Sequence, residues 1–319
     1  MQRGLKEYLI ISFKGLAMGA ADAVPGVSGG TIAFISGIYE ELISTISNIN
    51  IDLFKTLFSK PFKTFWNQLN GNFLLALLTG IVISFVSFMR LAKYLLEHHP
   101  VLIWSFFFGL IIASILVVGK QITKWNLPVI MALIIGAIVA FYISQLPSLG
   151  TNENSWFLFL AGAIAICAMI LPGISGSFIL IILGAYKTLS DAIHDIDIQR
   201  ILIFVSGALV GLLSFSHVLK WLFKHYHNIT LALLTGFIFG SLNKVWPWKN
   251  TLTWHTNSNG VKSPLLQESI SPFSFQGDNH LVYAIILMIL GFFTIFILER
   301  LGHKKQKCRE QEPFKTAFF

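Results

Sequence analysis

Pro25-Gly26-Val27-Ser28-Gly29-Gly30 and Pro172-Gly173-Ile174-Ser175-Gly176-Ser177 are two copies of one motif, and each breaks an otherwise apolar stretch. A helix crossing hydrocarbon does not run unbroken through Pro-Gly, so each copy predicts a pair of half-helices meeting at membrane depth. Around the motif, Ala21–Tyr39 aligned on Ala168–Tyr186 gives nine identities in nineteen positions at an offset of 147. A second ungapped match, Gly80–Ser114 on Gly207–Ser241, has an offset of 127 and keeps Gly80/Gly207, Ser87/Ser214, Lys93/Lys220, His98/His225 and Gly109/Gly236. The chain is therefore an internal duplication, with repeat 1 over about 5–147 and repeat 2 over about 155–300. The offsets differ by twenty because the first half carries an extra segment, roughly 50–72.

Composition enters here as a test of the solvent. With 55% apolar and 12% charged residues and a mean hydropathy of +0.71, an ordinary soluble domain is excluded. Apolar stretches at about 73–88, 101–118, 127–143, 201–215, 229–242 and 281–298 approach the ~20 residues a spanning helix needs. The expected fold is all-α: a polytopic membrane protein in which each half has a broken, re-entrant helix pair followed by three spanning helices. Three is odd, so the second repeat is inverted relative to the first. Arg3 and Lys6 before an apolar run imitate a signal peptide, but Lys14 interrupts that run and the same local pattern recurs around Pro172 in the interior. The two cysteines, Cys167 and Cys308, imply neither a disulfide framework nor a metal site.

Basic residues set the expected orientation. A cytoplasmic N-terminus places sixteen of the twenty-three Lys and Arg on that side, including the tail at 301–319, and makes the C-terminus cytoplasmic too. The net charge of +8 then reflects topology and anionic lipid, not nucleic acid. Residues 50–72 interleave Phe54, Phe58 and Phe62 with Lys55, Lys60 and Lys63, the pattern of an interfacial amphipathic segment that Pro61 should bend or divide. Residues 246–280 read as an outer loop, either a lid or a connector.

The chemistry of the motifs follows from helix ends. A helix starting inside the membrane leaves its first amides without partners and carries roughly half a positive charge there. Ser28 and Ser175 can cap or donate a hydroxyl, Gly29, Gly30 and Gly176 admit close backbone approach, and Thr31 and Ser177 add hydroxyls. Two such ends brought together near the midplane form a pocket for a phosphate or carboxylate. The competing reading is structural: two tight helical hairpins whose glycines permit packing and whose serines satisfy orphan amides.

Ionisable groups at membrane depth are functional candidates by default. Asp22 and Glu40 flank the first motif, and their counterparts in the second are Met169 and Lys187, so charge is placed asymmetrically. Either can bind a coupling proton or sodium ion, or simply sit at a helix end in interfacial water. Arg90 can contact a phosphate or snorkel to the interface. The nine histidines show no metal spacing and read as surface residues, and no nucleotide-binding or Gly-x-Ser-x-Gly motif is present, so no cofactor is implied.

Ala20-Ala21-Asp22-Ala23-Val24-Pro25-Gly26-Val27-Ser28-Gly29-Gly30-Thr31, Gly37-Ile38-Tyr39-Glu40, Leu171-Pro172-Gly173-Ile174-Ser175-Gly176 and Phe106-Phe107-Phe108-Gly109-Leu110-Ile111 carry a family likeness. The chain resembles the bacterial polyprenyl-phosphate transporters, PopT-like proteins once catalogued as a domain of unknown function. That resemblance implies a flippase in the bacterial cytoplasmic membrane returning undecaprenyl phosphate from the outer to the inner leaflet, so that the lipid carrier is recycled. It implies a site at Asp22, Ser28, Gly29, Gly30, Thr31, Glu40, Ser175 and Gly176. Two rivals come from other classes. A polyprenyl-diphosphate phosphatase resembles the chain in its broken helices and Pro-Gly-x-Ser motifs, but those enzymes place Arg after the Ser, where Gly29 and Gly176 stand here. A small-anion transporter can use the same pocket.

Overall fold

The computed structural model describes residues 3–22, 28–147, 154–256 and 262–311; Pro25 and Gly26 of the first motif fall outside them. Helix α1 (Leu5–Asp22) leads to the first motif, and two short helices follow it, α2 (Gly29–Ile35) and α3 (Tyr39–Ser47). The amphipathic segment forms α4 (Ile51–Ser59) and α5 (Phe62–Gln68), one on each side of Pro61. Next come α6 (Gly71–His98), α7 (Pro100–Gly119) and α8 (Leu127–Gln145). The second half runs α9 (Ser155–Ile170), α10 (Gly176–Ile182), α11 (Ala185–His194), α12 (Ile198–Gly240) and α13 (Leu281–Gln311).

Among the described residues, four helices are long and apolar enough to cross a membrane, α6, α7, α8 and α12. The bent pair α10–α11, folded by 109°, makes a fifth if counted as one span. Six separate full crossings were the expectation. Two of those stretches, 201–215 and 229–242, lie on either side of a kink at Tyr226 (φ −134°, ψ 46°), where two helices meet within α12. The corresponding residue of the first half, His99, has φ −135° and ψ 51° and separates α6 from α7. Pro100, which has no amide to donate, follows the first break, and His227, which has one, follows the second.

Contacts recur at the spacing of the duplication. A side chain at Gly80 of α6 would strike the Ser12 carbonyl of α1, 2.0 Å away, and one at Gly207 of α12 would strike the Phe159 carbonyl of α9, also at 2.0 Å. Ser12 and Phe159 are themselves 147 apart. The later helices cross between halves: α7 packs on α13, and α8 on α12. Both short-helix pairs bend at glycines 147 apart, Gly37 and Gly184, each with φ +71°, a conformation that side chains disfavour.

The main apolar core gathers around α2, with Ile32, Phe34, Tyr39, Phe107, Leu110 and Ile238 buried together, and a smaller core surrounds α10. Toward lipid, α8 presents Ile130, Ile134, Ile138 and Phe141 along one stripe. Residues 246–280, expected as irregular loop, hold an antiparallel hairpin, β1 (Lys249–Thr256) with β2 (Lys262–Ser269). Thr251, Thr253 and Thr256 suit a pleated strand. Its base is anchored by Trp248, which is buried with Val101 and Ala284 and donates its indole N–H to the Asn279 carbonyl at 2.9 Å.

Candidate functional site

The first motif is closed by its own side chains. Ser28 is extended (φ −118°, ψ 131°) and caps α2, its Oγ accepting from the Gly30 N–H at 3.1 Å. The Gly29 N–H donates to Asp22 Oδ1 at 2.6 Å, and the Thr31 N–H to the Ser28 carbonyl at 2.9 Å. Asp22, the last residue of α1, thus accepts from the first amide of α2.

The second motif presents its serine in a similar extended conformation, with no carboxylate at the position matching Asp22. Ser175 is extended (φ −98°, ψ 130°) and precedes α10, but makes no capping bond and shares a 2.9 Å hydrogen bond with the exposed Ser177. Where the first copy has Asp22, the second has Met169. Gly176 packs against α9, a Cβ there falling 2.8 Å from the Ala165 carbonyl.

Two hydrogen bonds join the copies. Ser28 Oγ donates to the Met169 carbonyl at 3.1 Å, and the Gly173 N–H donates to Thr31 Oγ1 at 2.9 Å. Gly30 seals the contact: a Cβ there would lie 2.7 Å from the Ile170 carbonyl. Ser28, Gly29, Gly30 and Thr31 are therefore brought against the second Pro-Gly break.

Ser175 opens on a cleft that it lines with Gly173, Phe178, Ser144, Ser241 and Lys244. A second cavity shares Ser144, Phe178 and Lys244 and continues beneath the hairpin to Asn243, Lys249, Gln267 and Ser269. Lys244 and Lys249 were missed by sequence reasoning. Their signal is the run Lys244-Val245-Trp246-Pro247-Trp248-Lys249, in which cations alternate with interfacial aromatics at the end of an apolar stretch. Burial, and then the charge of Lys244, pushes the Lys249 ammonium down to about 7.

Glu40 lies elsewhere. It is exposed at the start of α3, with Oε1 3.1 Å from Nε2 of His227, a half-exposed residue just past the Tyr226 break. Its neighbour Glu41 forms a two-pronged ion pair with Arg3, both bonds 2.7 Å. The side chain of Arg90 lies outside what the structure describes.

Comparison with known proteins adds a separate line. Residues 18–263 match the VCA0040-like family, described as undecaprenyl phosphate translocase-like. A polyprenyl-phosphate transporter of Vibrio cholerae serotype O1 is 45% identical over 301 residues, covering 93% of this chain and 98% of the relative. A polyprenyl-phosphate transporter of Staphylococcus aureus is 33% identical over 252 residues, covering 73% and 84% respectively. Both relatives are named as transporters, not enzymes. No solved structure matches.

Proposed function

The chain belongs to the undecaprenyl phosphate translocase-like family, and from that premise we propose that it carries undecaprenyl phosphate from the outer to the inner leaflet of a bacterial cytoplasmic membrane. A phosphate headgroup cannot cross hydrocarbon unaided, because burying an unpaired charge is prohibitive, whereas the prenyl tail stays in lipid throughout. The protein need only give the head a polar path.

The observation that carries this reading is the junction of the two motifs beside an open cleft: Thr31 bonded to Gly173, Ser28 to Met169, and Ser175 lining the cavity. In the proposed mechanism the headgroup docks first at Ser175, Gly176 and Ser177, where no carboxylate repels it. At the first motif Asp22 holds the place that a phosphate would take. A proton or sodium ion bound to Asp22 weakens its hold on Gly29 and opens the positive end of α2 to the headgroup. Charge balance between the two sites then couples cation and lipid. Glu40, paired to His227 at a helix end, is the alternative coupling residue, and Arg90 an additional phosphate contact.

The two halves, about 5–147 and 155–300, act as an inverted repeat whose rocking exposes the junction to each leaflet in turn. Recurrence of the Gly80–Ser12 contact as Gly207–Phe159, and of the Gly37 turn at Gly184, supports that symmetry. The distribution of Lys and Arg supports a cytoplasmic side for both termini.

Reconstituted protein tests the site directly. Ser175→Ala should slow the leaflet exchange of labelled undecaprenyl phosphate about tenfold, the usual cost of one lost hydrogen bond to a charged group. An undiminished rate would remove the headgroup from the second motif.

A further inference from the structure

Lys244 and Lys249 are an unusual pair for a half-buried setting. Among the described residues neither has a carboxylate within ion-pair distance. Each ammonium rests on an aromatic face instead, Lys249 Nζ 3.8 Å from the Trp104 ring centre and Lys244 Nζ 4.0 Å from that of Phe178. Lys249 also donates to the Lys244 carbonyl, which ties the first residue of β1 to the turn preceding the hairpin. Two like charges held near each other with no counter-charge repel one another and lose hydration, and ring contacts recover only part of that. An anion placed between them relieves both costs. Aryl faces release a lysine readily, because its ammonium swings on a flexible four-carbon stem.

The surroundings add donors without adding negative charge. Ser144, Asn243, Gln267 and Ser269 line the same open-mouthed cavity. Ser269 closes β2 directly opposite Lys249, so the base of the hairpin forms one wall. The opposite wall, Ser144, Phe178 and Lys244, is shared with the cleft that reaches Ser175.

We infer that Lys244 and Lys249, with Ser144, Asn243 and Ser269, form a capture site for the headgroup of a lipid phosphate monoester, one step before the Ser175 motif on the side that carries the hairpin. The inference rests on the transport reading above and extends it. Lys244, common to both cavities, hands the headgroup from the mouth to the motif. A phosphate monoester carries between one and two negative charges near neutral pH, matching the two cations.

The test uses the full chain in lipid nanodiscs and in vesicles. In vesicles, the double variant Lys244→Gln/Lys249→Gln should raise the half-saturating concentration of undecaprenyl phosphate about tenfold or more. Lys→Arg at both positions should restore it. Unchanged half-saturation in a folded double variant would overturn the inference. Should that variant not fold, the wild-type chain in nanodiscs answers the same question by reductive methylation read by mass spectrometry. A short-chain polyprenyl phosphate should protect both lysines, and the matching prenol should not. No protection overturns the site, and equal protection by inorganic phosphate at the same concentration overturns its assignment to a lipid. Wild-type vesicles that move no lipid while both lysines remain protected would sink the transport reading and leave the headgroup site standing.

Discussion

Asp22 and Met169 occupy the same register in the two motifs, and that one difference separates a filled helix end from an open one. The Asp22 carboxyl group accepts from the Gly29 amide at 2.6 Å, so the first amide of α2 already has a partner. Asp22→Asn retains an oxygen that can accept from Gly29 but removes the charge that a cation would bind. We expect the variant to fold and to lose the dependence of its transport on an imposed proton or sodium gradient; a gradient response equal to wild type would move coupling away from Asp22. Gly30 offers a purely steric test. A methyl there would sit 2.7 Å from the Ile170 carbonyl, so Gly30→Ala must push the two motifs apart. Overpacking of this kind costs about 1–3 kcal/mol, and thermal unfolding in detergent should move down accordingly.

Short elements join the halves, and they show what local sequence can and cannot disclose. The Ser28 cap was legible because capping is a property of a residue and its immediate neighbours, whereas the positive-φ turns at Gly37 and Gly184 emerge only in the fold. The Thr31–Gly173 bond was not, since it joins residues 142 apart whose meeting depends on how α2 packs on the end of α9. Nor was the role of Lys244 and Lys249: neither stands in the duplicated pattern, and their cavity exists only once the hairpin folds back over α8 and α10. Asp22 meets the Gly29 amide only seven residues on, whereas the pairing of Glu40 with His227 at an exposed end spans 187 residues. Thr31→Val isolates the bridge between elements. It keeps the shape but leaves the partly buried Gly173 amide without its partner, at about 1 kcal/mol; Thr31→Ser should regain most of the lost thermal stability, and equal melting of all three proteins would show that the bridge contributes nothing.

Across the whole molecule, contacts identify two opposite ends. Arg3 and Asn70 both bind Glu41, so residue 3, α3 and the start of α6 lie together. The 28 residues of α6 then rise about 42 Å to the far end. There Val101 of α7 packs with Trp248 and Ala284, which places the hairpin and the start of α13 at that far end. Helix α13 returns, because Phe296 lies under the Lys120 ammonium, 5.2 Å from its ring centre, just beyond the C-terminus of α7. Residue 3 and the late part of α13 therefore share one end, opposite Lys249. If that end is cytoplasmic, as the excess of Lys and Arg argues, the capture site meets lipid arriving from the outer leaflet. Single cysteines in a chain lacking Cys167 and Cys308 decide the matter. In intact cells a membrane-impermeant maleimide should label Ser274→Cys and spare Lys60→Cys, which should react only after the membrane is opened. The opposite pattern would turn Lys244 and Lys249 toward the cytoplasm, and a site that collects lipid phosphate there would serve export from the inner leaflet instead of return to it.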